Sequence, residues 1–179
     1  MRANRKWWFA YCLLLAFVPC LAACADNTQL PKPPLSLPFD VKKAGSKVET
    51  ELKIIELQTY AFNLQYTFRE NDQADRARVW NLAGGSVKDE AGRWIELGAP
   101  LKIKLKIFRK NEGVEQSVYE GSISSPHLSS WGGNSLNAKL ANVLLEPGTY
   151  VVSAENLSDA PEFSGTQVGL SIVRAYLGK

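Results

Sequence analysis

Histidine and methionine occur once each in the 179 residues, and cysteine three times. The histidine is His127, and Cys12, Cys20 and Cys24 all lie within the first 24 positions. With no thiol after Cys24, the rest of the chain cannot assemble the Cys and His sets that hold zinc, nor close a disulfide on itself. No GxSxG elbow is present, and Gly84-Gly85 runs into Ser86-Val87 rather than a Lys-Ser/Thr pair, which excludes a phosphate-binding loop. Charge of one sign is lacking too. The formal net charge is +3, but Arg2, Arg5 and Lys6 stand at the extreme N-terminus with no acid beside them. Removing them makes the remaining basic residues equal in number to the 18 acidic ones. Such a chain has no global pull toward nucleic acid, which requires a basic excess.

What is there begins with the N-terminus. Those three basic residues precede an apolar run, Trp7 to Ala23, interrupted only by Pro19 and ending in small residues. This is the anatomy of a secretory signal peptide. The run falls short of the roughly 20 residues a helix needs to cross a bilayer, so an uncleaved anchor is the second choice. Leu21, Ala22, Ala23 and Cys24 then resemble the bacterial lipobox: a branched apolar residue, two small ones, and cysteine. The resemblance implies cleavage before Cys24, diacylglycerol on its thiol and an acyl chain on the freed amine, with the bilayer as first partner. An ordinary cleaved leader with an incidental cysteine is the alternative. Ala25, with Asp26 one place later, fits by the same resemblance an outer-membrane lipoprotein facing the periplasm rather than an inner-membrane one. The chain therefore divides into a leader (1–23), a lipidated cysteine with a Pro-rich tether (24–38) and a domain (39–179). Pro31, Pro33, Pro34 and Pro38 favour extended polyproline II geometry in the tether.

From Phe39 onward the period is two. Tyr60, Phe62, Leu64, Tyr66 and Phe68 alternate with smaller or polar residues, and Leu101, Ile103, Leu105 and Ile107 alternate with Lys102, Lys104 and Lys106. Ile54-Ile55 breaks the pattern and marks a bulge or a strand end. Pro147-Gly148 fits the centre of a type II turn. Tyr150 after it resembles the tyrosine corner of Greek-key sandwiches, in which the hydroxyl ties back to the upstream backbone. The segment 71–85 alone follows a helical period, with Asn71 as cap and Gly84-Gly85 as stop. The expected fold is an all-β, antiparallel, immunoglobulin-like or Greek-key sandwich with one short helix.

Catalytic sets are absent from the pattern. His127 lies in a Ser-, Pro- and Gly-rich loop and reads as solvated. Asp72 with Asp75 reads as a helix start, and Asp89-Glu90 as a turn. The lysine row reads as a solvated sheet face or edge protection, with a stripe for an acidic partner as the rival. Trp80 and Trp94 read as core or core-capping. Trp131, in SSWGGNS, is either a contact anchor at a sandwich end or a lid folded over the core. Candidate interaction residues are thus Trp131, His127, Lys102, Lys104 and Lys106, with no cofactor or metal.

The lipobox, Pro38-Phe39-Asp40, the aromatic strand at 60–68, LGAPLKIKLKIF (97–108) and LEPGTYVVSAENL (145–157) together resemble proteobacterial lipoproteins that carry a domain of unknown function. The resemblance implies a sandwich and a lipid anchor and transfers no catalytic residue. The expected function is a non-catalytic binding module with a periplasmic protein partner. One alternative is an immunity protein against a toxic effector such as a phospholipase; another is an envelope hydrolase with unassigned carboxylates.

Overall fold

The computed structural model describes residues 29–111 and 113–176. Leu21, Ala22, Ala23 and Cys24 lie outside the described residues, as does the rest of the leader.

Period-two segments become strands, and their apolar rows face each other across two antiparallel sheets. One sheet contains β1 (Leu35–Pro38), β3 (Gln58–Thr67), β8 (Leu128–Gly132), β9 (Ser135–Leu145) and β11 (Gln167–Arg174), in the order β1-β11-β3-β9-β8. The other contains β2 (Lys47–Ile54), β6 (Lys102–Asn111), β7 (Val114–Ser124) and β10 (Gly148–Asn156), in the order β2-β10-β6-β7. A helix, α1 (Gln73–Leu82), and a separate two-stranded hairpin, β4 (Ser86–Lys88) and β5 (Trp94–Glu96), are inserted between β3 and β6. The expected all-β sandwich with one short α-helix is what the described residues form.

The core is the meeting of the two rows. Phe62, Leu64 and Tyr66 of β3 are fully buried, as are Ile103, Leu105 and Ile107 of β6. Complete burial of each such side chain contributes about 1.5–3 kcal/mol. Ile54 ends β2, and Ile55 turns into solvent. The Tyr66 ring stacks on Phe163 at 5.8 Å, and its hydroxyl is buried without a partner among the described residues. Burial pushes that phenol far above its ordinary pKa.

Three boundaries differ from expectation. Leu35–Pro38 belongs to the domain: it pairs with β11 from Leu35↔Ile172 to Pro38↔Gly169. Leu35 and Leu37 carry a short period-two signal, and Pro38 is tolerated because β1 is an edge strand. Even Pro31 is engaged, its carbonyl accepting from the Lys53 amide at 2.9 Å. Second, the Pro147-Gly148 step is not a type II turn. Gly148 is not among the glycines with positive φ; it opens β10, and the step carries the chain from one sheet to the other. The tyrosine corner nevertheless forms, with Tyr150 Oη donating to the Glu146 carbonyl at 2.9 Å. Arg109 completes the arch by donating to the Pro147 carbonyl at 2.9 Å and to the Glu146 carboxylate at 2.7 Å. Third, the helix cap is Asp72, not Asn71, and its carboxylate accepts from the Asp75 amide at 2.9 Å. Asn71 instead takes a left-handed φ of 59°, which asparagine tolerates.

Candidate functional site

The end of the sandwich where β3 runs into α1 gathers polar and aromatic groups. After Thr67 the chain turns, and the Phe68 amide donates to the Asn134 carbonyl in the β8–β9 turn at 3.0 Å. The same end is tied by Asp75, a buried carboxylate in the first turn of α1. It accepts from the Arg69 amide at 2.7 Å and from Arg78 Nε at 2.9 Å. Arg78 in turn donates to Thr166 Oγ1 at 2.8 Å, fastening the helix to the segment before β11. The Arg69 amide first, and the Arg78 guanidinium after it, hold the Asp75 carboxyl below its ordinary pKa. Asp89 is bound similarly in the β4–β5 turn. It accepts from the Arg93 and Ala91 amides at 2.8 and 2.9 Å, and the Arg93 amide is the largest cause of its lowered pKa. A general acid needs the opposite displacement, upward toward neutrality. Asp75 and Asp89 are thus held ionised, the one in a helix start and the other in a turn.

Trp131 stands near the end of β8 with 66% of its surface exposed. Its ring meets Trp80 of α1 edge-on, centroids 6.3 Å apart and planes at 67°. Trp80 is half-buried and packs on the core, as expected. Trp131 therefore touches the molecule along one edge rather than lidding the core. Between it and the start of α1 runs a cleft of about 280 Å³, lined among others by Phe68, Asn71, Gln73, Arg76 and Asn134. Arg76 also borders a groove along α1 with Ala77 and Trp80. An aromatic face beside a guanidinium and amide groups offers stacking, apolar contact and hydrogen bonds at one place.

The other singled-out residues lie elsewhere. His127 precedes β8, about 13 Å along the strand from Trp131 at strand spacing. It is exposed, with Nδ1 3.8 Å from Glu96. Lys102, Lys104 and Lys106 are in the opposite sheet. β6 is flanked by β10 and β7, so edge protection does not explain the row. Lys104 and Lys106 both reach Glu120 of β7, at 3.0 and 3.5 Å, and the Lys104 bond first, then the Lys106 charge, lower the Glu120 pKa. Glu155 stands opposite Lys104 on the other flank. Lys104 and Lys106 are thus compensated by the chain's own acids, while Lys102 stands exposed opposite Ser124.

Trp94 departs from expectation. It is 69% exposed on β5, with the Lys88 ammonium 5.3 Å above its ring. A two-stranded sheet has too little area to bury a face of its own, and Ile95 and Leu97 are exposed with it. The hairpin is clamped at its base by backbone contact. The Gly98 amide donates to the Gly84 carbonyl at 3.0 Å, and a Cβ built on Gly84 would lie 1.8 Å from the Gly98 oxygen. The crowding of Trp, Ile and Leu in RWIELG after a turn was the available signal for this patch. Among the described residues no group of three or more His, Cys, Asp or Glu could hold a metal ion, and no helix is long and apolar enough to cross a membrane.

A family model described as "Domain of unknown function (DUF5625)" matches residues 36–174. The crystal structure of a protein from Sulfurospirillum deleyianum is similar, with a TM-score of 0.62 and 22% identity over 79% of this chain and 96% of that one. At that identity the likeness shows the fold alone. No curated protein matches the sequence.

Proposed function

This chain belongs to the DUF5625 family of unknown function, and from that premise we propose that it is a lipid-anchored, non-catalytic binding module of the bacterial envelope. Acyl chains on Cys24 hold it to the outer membrane, facing the periplasm, and Trp131 with the adjoining cleft receives a protein partner. The observation that carries the binding half is the exposed Trp131 braced edge-on by Trp80. A large aromatic fixed in place loses little conformational freedom on binding, which is why tryptophan is enriched at binding hot spots. The anchor half is supported by the lipobox sequence Leu21-Ala22-Ala23-Cys24. Two or more acyl chains make attachment lasting, each buried CH₂ contributing about 0.8 kcal/mol. A module so held meets its partner at raised effective concentration.

The test is affinity capture from envelope extracts with the full acylated chain and its Trp131→Ala variant. Capture of a protein by the wild type, reduced about tenfold or more in the variant, is expected for a hot-spot tryptophan. Equal capture by both, or hydrolysis of envelope glycan or lipid by the purified protein, would overturn the binding reading. Loss of palmitate labelling in Cys24→Ala checks the anchor separately.

A further inference from the structure

We propose that the end of the sandwich opposite Trp131 lies against the phospholipid leaflet that carries the anchor, with Ile55, Leu57, Leu144 and Tyr176 in the interface. This rests on the Cys24 anchor proposed above.

The two ends are defined by β3, which runs from Gln58 to Thr67. α1 and the β8–β9 turn gather at its far end, about 30 Å from its start at strand spacing. The start of β3 is surrounded by exposed apolar residues. Ile55 and Leu57 form the link from β2, 52% and 63% exposed. Leu144 lies opposite Thr59 on β9 and is turned outward between the buried Val143 and Leu145. On the other side of β3 the Ala175 amide donates to the Thr59 carbonyl, and Tyr176 follows, 95% exposed. Two ion pairs lie among them, Arg174 with Glu56 at 2.8 Å and Arg109 with Glu146 at 2.7 Å, and Lys53 adds an exposed cation suited to anionic headgroups. Paired charges and apolar side chains lose less on leaving water than lone ions do.

The chain's own path identifies what covers this end. Pro31 is fixed beside Lys53, one residue before the end of β2. Only the stretch from Cys24 to Pro31 is then available as a tether, and fully extended it spans at most about 25 Å. That is shorter than the roughly 30 Å length of β3. Turning the Trp131 end toward the bilayer would require the tether to run back along the whole domain, which it cannot do. With Cys24 in the leaflet, the Ile55–Leu57 end is the one brought to it. Apolar side chains presented this way settle about 5–10 Å into the boundary between headgroups and acyl chains. Trp131 then faces away from the bilayer.

Full-length chain is processed in cells as Leu57→Cys or, for the far end, Gln73→Cys, two exposed positions. With Cys24 acylated and the leader removed, the introduced thiol is the one free to take an environment-sensitive fluorophore. The labelled proteins are reconstituted in phosphatidylethanolamine–phosphatidylglycerol vesicles carrying doxyl-labelled acyl chains. Expected are flotation of both and quenching at position 57 at least about threefold stronger than at position 73. Flotation with water-like emission at 57 would overturn the docking and leave the anchor standing. Shielded emission at 57 without lipid quenching would mean that protein, such as a second copy, covers the face, and would overturn it equally. Failure to float would remove the anchor, and the docking with it.

Discussion

The two ends of the sandwich are closed by different chemistry. Where β3 meets α1, closure depends on an ionised group: Asp75, bonded to the Arg69 amide and to Arg78, which reaches on to Thr166. At the other end the arch between β9 and β10 is closed by a neutral hydroxyl, Tyr150 on the Glu146 carbonyl, and by Arg109, which donates to the Pro147 carbonyl and to the exposed Glu146 carboxylate. The first end adds an insertion to the sandwich and needs charge to fasten it. The second joins two strands already in their sheets and needs only a short tie. The difference locates responsiveness: the end that carries the aromatic cleft is fastened through a buried carboxylate, and protonating it loosens that fastening.

The strongest challenge to this contrast is Gly84→Ala. The new methyl group would fall on the Gly98 oxygen at a backbone φ of +66°, and a loss of about 3 kcal/mol in urea unfolding is expected. A loss below about 1 kcal/mol would show that the hairpin base yields freely and that the α1 end is not rigidly clamped.

Acid sharpens the comparison next. Because the folded Asp75 carboxyl lies below its ordinary value of 3.8, the stabilisation it provides is complete above that value. It is lost as pH falls from there through the folded pKa. Hydrogen exchange should therefore show α1 opening on acidification before the β9–β10 arch does. In Asp75→Asn, α1 should be less protected at neutral pH and should respond less to acid. Simultaneous opening of both ends would erase the distinction.

A smaller effect separates two buried tyrosines. Tyr150→Phe removes the corner bond and should cost about 1 kcal/mol in chemical denaturation. Tyr66→Phe removes a hydroxyl that has no partner among the described residues and should be neutral or slightly stabilising. Equal losses would mean that the arch owes nothing to its tie. Smallest of all is Trp131→Ala, which should move stability by no more than about 0.5 kcal/mol, since the ring is mostly exposed. A larger loss would make Trp131 a structural cap of the α1 end rather than its contact surface.

The rows on β3 and β6 were legible because alternation over many residues admits one burial pattern, and Tyr150 because its tie is local in sequence. Trp94 departs from its expected burial for a physical reason. Hydrophobicity suggests burial, but whether a hairpin lies on the core or stands away from it is decided by contacts at Gly84 and Gly98, far from the ring itself. Pro147-Gly148 differs from expectation because identical residues serve a tight turn or a step between sheets, and only the pairing of β9 and β10 with different partners distinguishes them. The Trp80–Trp131 pair could not be seen in advance, since β8 reaches α1 only through the completed sheet. The prolines at 31–38 concealed β1, whose two leucines are too few to outweigh them without β11 alongside.

That short edge strand has a mechanical consequence. β1 runs antiparallel to β11, and just before it the chain bends at Pro33-Pro34, with Pro31 bonded to Lys53 of the opposite sheet. Tension between the N-terminus and the Trp131 end would first meet the Pro31–Lys53 bond and, once that gave, would pull β1 lengthwise past its neighbour. Every rung of the ladder would resist at once, as in a lap joint, instead of parting one after another like a zipper.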